Sequence, residues 1–563
     1  MAGSFCLTLG HNASAVYIDD DFIVGYEEER LSKKKSDSSF PDLAIQEIYR
    51  RVGVSPDDIE NVYISHWFDH HDVSATENKY YSAARMKTYF PNATFTQTSG
   101  HEFSHHDAHA LSVQLFNSYH NQTEHNLVLV VDGFGNNQEV ASLYKTELDG
   151  SLKRIDRIYG YEHSLGLMYQ YAAEACGMDG INDVYKFLGY RTQGMTDDEM
   201  LRCHSLIDVM VGDFINVWLA DDLARDMPKD NFELTDEVID LPALMETKRQ
   251  FINAFSYLVD DDEQFQSRVR VGYAVQEILE RVVVAYVRKK LENLNYEADN
   301  LLVAGGCFYN VRLNDKLRKA LPSHMHFTPM PLAGDQGAGL GVAAFYDDVN
   351  PGIFRNLYWG MRDTVGHTTA ERISSAEAVR TIPKLIADGM IVNVFHGDHE
   401  FGPRALCNTS TLAKPDKKLV EAINTANGRT TVMPMAPAML ESAAMKMFGD
   451  SILWKSRGSD EFMITAWNFE DADWAADNVA GAAHRDVDGS YSGRPQIVDP
   501  TQNAVVADIL EELFTQYDIP CVINTSLNIH GQPIVYDLED LEKVQTDWTQ
   551  HCPLPFRTFI IED

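Results

Sequence analysis

Leu127-Val128-Leu129-Val130-Val131-Asp132-Gly133 is the stretch on which the reading of this chain turns. Five unbroken apolar residues, three of them β-branched, spell a strand buried on both faces. Asp-Gly then ends it in a tight turn. Working outward, Val140–Tyr144 and Leu152–Tyr159 read as its partner strands. Helical periodicity follows at about Leu165–Cys176 and Val271–Leu294. A further strand, Leu301–Ala304, leads into a helix from about Tyr309, and another helix starts after Asp335.

The same order opens the chain. Phe5–Leu9 alternates apolar and polar residues, turns at Gly10-His11-Asn12, and continues as Ser14–Ile18. Asp19-Asp20-Asp21 turns again into Phe22–Tyr26, completing a three-stranded meander. A helix at about Pro41–Val52 carries Leu43, Ile45, Ile48 and Tyr49 on one face, and a strand at Val62–Ser65 comes next. Two halves that each open strand-turn-strand-strand predict an α/β protein with a duplicated nucleotide fold of the actin type. Both turns are then expected to face a shared phosphate site. The pattern weakens around Asn350–Ala378, which marks the expected domain boundary. Beyond it a second α/β region is expected. Its strands fall at about Met390–Phe395, Phe462–Ala466 and Pro520–Asn524, and its helices at Lys418–Ala426 and Ala504–Thr515.

Composition agrees with such a two-domain reading. The chain has 563 residues, more than one hydrophobic core serves, and 44% of them are hydrophobic. No run of about 18 apolar residues occurs, and the first residues lack a signal-peptide pattern, so a cytoplasmic protein without membrane contact is expected. The seven cysteines are scattered with no C-x-x-C pair, which reads as buried small hydrophobes rather than a disulfide framework or zinc ribbon. A formal net charge of −37 repels polyanions unless a local basic groove exists.

Four clusters carry chemistry. Ser104-His105-His106-Asp107-Ala108-His109 opens an apolar-periodic segment and so lies on the first turns of a helix. His105 and His109, spaced i and i+4, share a face and can hold one divalent metal. Asp132, at a strand end before Gly133, is a third ligand candidate, with a plain turn residue as the alternative. Asp335, in a glycine-rich helix start, is the fourth, with an N-cap as the alternative. Two imidazoles and two carboxylates suit iron(II), manganese or zinc better than calcium. Ala304-Gly305-Gly306-Cys307-Phe308-Tyr309-Asn310 reads as strand, glycine pair and helix start, where a nucleotide lies against backbone. Glu400-Phe401-Gly402-Pro403-Arg404 offers a guanidinium fork for phosphate. Asn524-Thr525-Ser526-Leu527-Asn528 offers hydrogen bonds at a strand end.

Taken in order, these motifs resemble the carbamoyltransferase family that includes nodulation and antibiotic-tailoring O-carbamoyltransferases. Gly10-His11-Asn12-Ala13-Ser14-Ala15 looks like the family's opening. Glu27-Glu28-Glu29-Arg30, Lys35 and Phe40-Pro41 match its next segment. His-His-x-Ala-His-Ala, Val-Asp-Gly-x-Gly, Ser164-Leu165-Gly166-Leu167, Glu-Phe-Gly-Pro-Arg-Ala-Leu and Asn-Thr-Ser-x-Asn follow. The resemblance implies an actin-like domain over residues 1–350, of the ASKHA, threonylcarbamoyl-transfer type, and an α/β YrdC-like domain over 375–563. The second would make carbamoyl adenylate from carbamoyl phosphate and ATP, and the first would pass the carbamoyl group to an acceptor hydroxyl. By motif match, His105, His109, Asp132 and Asp335 would hold the divalent metal, iron first, then manganese, zinc or magnesium. Lys35, Gly166, Gly306 and Asn310 would contact the adenylate. Arg404, Arg494, Asn524 and Ser526 would line the carbamoyl phosphate site. His11 and Arg404 are the catalytic candidates.

The expected acceptor is a hydroxylated small molecule, a nucleotide or DNA. A 5-hydroxymethylpyrimidine stands beside sugars and natural products. A tRNA threonylcarbamoyl-type enzyme, a non-catalytic actin-like nucleotide-binding protein and a metal-dependent phosphatase are the competing readings. A homodimer is compatible with the family. The sequence departs from the family at two places, one being Val184, where a Glu is usual before Tyr185-Lys186. At the other, Asn427 and Met433 stand where a phosphate-binding lysine and a second arginine are usual, so Arg429 or Arg494 is expected to supply the missing charge.

Overall fold

The computed structural model describes residues 3–562 except 21, 68–79, 81, 99–102, 122, 191–193, 221–238, 295, 430–434, 453–457 and 487. The chain forms two compact units, one of residues 1–62, 77–95 and 349–563, the other of residues 63–76 and 96–348. The break near Val349 falls where the pattern weakens. The first 62 residues, however, pack with 349–563, a grouping that chain order does not suggest.

The first sheet has the order Phe22–Glu27, Ser14–Asp19, Ser4–Thr8, Asn61–Ser65, Thr94–Gln97. Its meander is antiparallel, with Phe5 opposite Tyr17 and Val16 opposite Gly25. Gly10 (φ 100°) and Asn12 (φ 57°) supply the left-handed backbone that the first turn needs. The line between the units runs through Asn61–Ser65 and Thr94–Gln97.

The second sheet lies within the second unit. Its order is His326–Pro329, Asn300–Ala304, Asn126–Val131, Glu139–Thr146, Leu152–Tyr159. Asn126–Val131 is buried at every residue, as an unbroken apolar strand must be. It pairs parallel with Asn300–Ala304 and antiparallel with Glu139–Thr146. Read from its own first strand, this sheet has the same order as the first: third, second, first, fourth, fifth. Repetition of that one topology is the actin-like duplication, and the fold class is α/β.

Besides a small three-stranded sheet of Trp467–Asn468, Tyr491–Gly493 and His484–Arg485, the first unit has a sheet of seven strands. Their order is Glu371–Ser374, Phe556–Glu562, Ile391–His396, Thr409–Ala413, Val522–Ser526, Ala436–Met439, Gln496–Ile497. Helices Ser375–Ala387 and Ala504–Tyr517 pack on one face through Ile382, Ile386, Ile509 and Leu513. Helices Lys417–Ala426 and Leu538–His551 contribute Ile423, Leu541 and Trp548 to a second core. The strand expected at Phe462–Ala466 is absent. A 3-10 turn, Ser459–Phe462, is followed by Met463 at φ 55° and a two-residue strand, Trp467–Asn468. These apolar side chains are buried although the segment is irregular, and Trp467 Nε1 ties it down by a 2.8 Å bond to Asp460. All seven cysteines are free thiols, and five are buried. Among the described residues, no helix is long and apolar enough to cross a membrane.

Candidate functional site

In the second unit, helix His105–His120 starts with a capping box. Ser104 accepts from the Asp107 N–H, and the Asp107 carboxylate accepts from the Ser104 N–H at 2.7 Å. That cap fixes where the helix begins, so His105 and His109 lie one turn apart on one face. Their Nε2 atoms are 3.1 Å apart. The helix Ala338–Tyr346 crosses this one closely because Gly341 has no side chain; a Cβ there would sit 1.8 Å from the Ala108 carbonyl oxygen. The crossing brings Asp335, at the head of the turn preceding that helix, onto the imidazoles. It is not an N-cap: Gly334 takes that place for the turn and Gly337 for the helix.

Asp335 Oδ1 lies 3.3 Å from His105 Nε2 and 3.5 Å from His109 Nε2. Asp132 Oδ2 lies 3.7 and 3.4 Å from the same two atoms. The other Asp132 oxygen accepts backbone N–H groups of Gly133 (2.7 Å) and Gly306 (3.1 Å), so one oxygen is held and the other left to the cluster. Ser65 Oγ bonds His105 Nδ1 at 3.2 Å, which leaves Nε2 pointing at the carboxylates. All four ligand atoms fall within 4.8 Å of one another.

The electrostatics follow from that crowding. Burial pulls the His105 imidazole down, but the Asp335 and Asp132 carboxylates outweigh it and push it up to about 10. Burial and then the two imidazoles act in opposition on Asp132, and the imidazoles hold it well below the usual carboxylate range. His109 Nδ1 is buried with no hydrogen-bond partner among the described residues. Two carboxylates and two inward nitrogens at this spacing fit a divalent metal with mixed N/O ligands. The neighbouring His106 points elsewhere, with Nδ1 on Ser142 Oγ at 3.0 Å.

The residues expected at the nucleotide divide. Gly306 gives its N–H to Asp132, and Gly166 packs against the Asp132-Gly133 turn, where a Cβ would sit 2.8 Å from Gly133. Asn310 caps helix Val311–Ala320 and exchanges bonds with Gln276, its Nδ2 donating to Gln276 Oε1 at 2.8 Å and its Oδ1 accepting at 3.1 Å. Lys35 and His11 belong to the first unit. Lys35 is exposed, and His11 sits half-buried in the first turn of the meander.

The arginine cluster is in the first unit. Asn524 Nδ2 donates to the Ala405 carbonyl (3.0 Å) and to Gln496 Oε1 (2.7 Å), joining the three motifs around Arg404, Arg494 and Asn524. Burial, then the charge of nearby Arg404, drives the Arg494 guanidinium well below its ordinary value. Arg494 forms no hydrogen bond or ion pair with a described residue. Asn524 Oδ1 is buried and unbonded. Arg429 reaches Thr525 Oγ1 (3.0 Å), Asn528 Oδ1 (3.3 Å) and Ser526 Oγ (3.4 Å). Asn427 is buried and accepts from Trp548 Nε1 at 3.0 Å. Met433 lies outside the described residues. Sequence reasoning missed Glu400 as the hub of this loop: its Oε1 accepts the N–H groups of Leu406, Asn408 and Thr409 at 2.8–2.9 Å. It also missed Ser65 behind His105. Neither carries a signal in its local sequence.

Against known proteins, residues 93–344 match the family model described as carbamoyltransferase N-terminus, and residues 383–552 the one described as carbamoyltransferase C-terminus. Uncharacterized protein MJ1051 of Methanocaldococcus jannaschii is 26% identical over 94% of each chain. Nodulation protein NolNO of Sinorhizobium fredii is 26% identical over 95% of this chain and 76% of its own. Nodulation protein U of Azorhizobium caulinodans is 28% identical over 53% of this chain and 50% of its own.

Proposed function

The chain belongs to the carbamoyltransferase family, and from that premise we propose that it is an ATP-dependent O-carbamoyltransferase. Water releases phosphate from carbamoyl phosphate, the carbamate displaces pyrophosphate from ATP to give carbamoyl adenylate, and the hydroxyl of a small molecule, nucleotide or nucleic acid then takes the carbamoyl group with loss of AMP and a proton. The observation that carries this reading is that one chain holds two sites of opposite charge demand. The bonds of Asn524 to Ala405 and Gln496 bring the Arg404 and Arg494 motifs together, and a phosphate dianion there would favour the charge that burial and the neighbouring Arg404 take from Arg494. Asn524 and Ser526 would bond the carbamoyl end, and Arg429, lying on Ser526, supplies charge where Asn427 cannot. Asn427 is engaged by Trp548, a structural bond, which agrees with its having left the phosphate site.

In the second unit, His105, His109, Asp132 and Asp335 would hold a divalent metal, iron(II), manganese or zinc by donor type. Once bound, such a metal polarises the carbamoyl oxygen and neutralises adenylate charge. The chain's own residues orient that chemistry: Ser65 bonds His105 Nδ1 and so orients the ring, and Gly306 N–H with Gly133 N–H fixes one Asp132 oxygen. Gly166, Gly306 and Asn310 line the backbone against which the adenylate would lie, with Lys35 and His11 assigned by motif alone. The test is mass spectrometry of ATP, carbamoyl phosphate and a panel of hydroxylated acceptors. A carbamoyl mass gain that requires both donor and ATP supports the reading. Turnover of ATP without any carbamoylated product refutes it.

A further inference from the structure

The loop that carries Arg404 is gripped from the other end of the chain. Gly402 has φ 100°, a backbone state that a side chain resists, and both of its peptide groups are engaged. Its N–H donates to Glu27 Oε2 at 3.2 Å, and its carbonyl accepts from Arg30 Nη2 at 2.7 Å. The same Arg30 nitrogen is 2.9 Å from the same Glu27 oxygen, so the clamp is closed on itself. Glu27 and Arg30 are each 3% exposed. Arg30 also pairs with Glu29 and feels the charge of Glu400, the hub carboxylate of the loop. Next to the clamp, Phe401 stacks on Trp359 with ring centroids 5.0 Å apart and presses against Gly25, where a Cβ would meet its ring at 3.1 Å.

We propose that Glu27 and Arg30 are positioning residues for the anion site: by fixing Gly402 they hold Arg404 beside Arg494. Arg404 acts against the charge of Arg494, and without anion a relief open to Arg404 is to swing away. A left-handed glycine gripped on both sides, two residues before Arg404, removes that freedom. The binding cost of ordering the site is thereby met in folding rather than when the ligand arrives. Neither Glu27 nor Arg30 touches the ligand. The role rests on the donor-site reading above only for what the anion is.

The test is a double-mutant cycle on the full chain, read by calorimetric titration with inorganic phosphate. Arg404→Ala sets the reference loss. Arg30→Lys, which keeps the charge but cannot span Glu27 and Gly402, is expected to weaken phosphate by about tenfold, and Glu27→Gln by about threefold. Placed on Arg404→Ala, each should add nothing, because its effect runs through Arg404. Unchanged phosphate affinity in both single variants, or full additivity with Arg404→Ala, overturns the proposal even if thermal stability falls. Glu27→Gln, nearly isosteric, serves if Arg30→Lys does not fold. A wild type that binds phosphate with this coupling but shows no carbamoyl-phosphate-dependent pyrophosphate release would refute the proposed reaction and leave the clamp standing.

Discussion

The His/Asp quartet and the arginine cluster are both buried polar sites, yet they are built by opposite means. The quartet is assembled by the ends of regular elements: one capped helix, one strand end, one turn before a helix. Its charges attract, so it collapses onto itself and two imidazoles and two carboxylates crowd within 4.8 Å. The arginine cluster is assembled by a loop whose backbone is tied to Glu400, Glu27 and Arg30. Its arginine charges oppose one another, so the scaffold must hold them together. A site whose own groups compensate tolerates a missing ligand, and a site of like charges depends on its supports. The first asks for a cation, the second for an anion.

If that contrast is right, damage to supports should hurt the arginine cluster most. Glu400→Ala strands three buried N–H groups and should cost about 3–6 kcal/mol, seen as a large fall in the denaturation midpoint. An unchanged midpoint would mean that the loop needs no hub. Arg404→Ala should lower carbamoyl-phosphate-dependent pyrophosphate release by about a hundredfold, the worth of one or two charge-assisted bonds. Ser65→Ala removes only the partner of His105 Nδ1 and should weaken metal affinity by about tenfold, measured by competition with a chelator. Equal affinity would show that the helix cap alone orients the ring.

The smallest effect is on pH. His105 rises from 6.5 to about 10 on folding, so its protonated form stabilises the metal-free protein. The sign is that of a raised pKa: the contribution is complete below pH 6.5 and is lost as pH climbs towards 10. Metal-free protein should therefore lose a few degrees of melting temperature, about 2–5 °C, between pH 7 and 10. Metal competes with that proton, so metal affinity should rise over the same window. A melting temperature flat with pH would remove the proton from His105.

The same contrast explains what the sequence discloses. His105 and His109 are legible from an i, i+4 spacing, and Asp132 and Asp335 from the glycines that follow an element's end, because local periodicity fixes local geometry. Four strands of each five-stranded sheet are legible from their own apolar pattern, while the fifth of each, Thr94–Gln97 and His326–Pro329, is a short four-residue strand that the pattern does not mark. The clamp on Gly402 is not legible, since Arg30 and Gly402 lie 372 residues apart. Nor is the packing of residues 1–62 with 349–563, which no local pattern encodes. The expected strand at Phe462–Ala466 shows the converse error, in which apolar residues buried by an irregular loop imitate a strand. Arg429 and Arg494 were open as alternatives for the missing charge. Their neighbours differ: Arg429 bonds Ser526, and Arg494 feels the charge of Arg404.

A division of labour between the two sites is what the whole reading stands on, and it can be read from two products in one assay. Pyrophosphate and carbamoylated acceptor are followed together in wild type, His105→Ala and Arg404→Ala, with ATP, carbamoyl phosphate and metal present. His105→Ala should keep donor-dependent pyrophosphate release within about twofold of wild type while carbamoylated product falls by about a hundredfold or more, and Arg404→Ala should lose both. Loss of pyrophosphate release in His105→Ala equal to its loss of product, or full release in Arg404→Ala, would contradict the division.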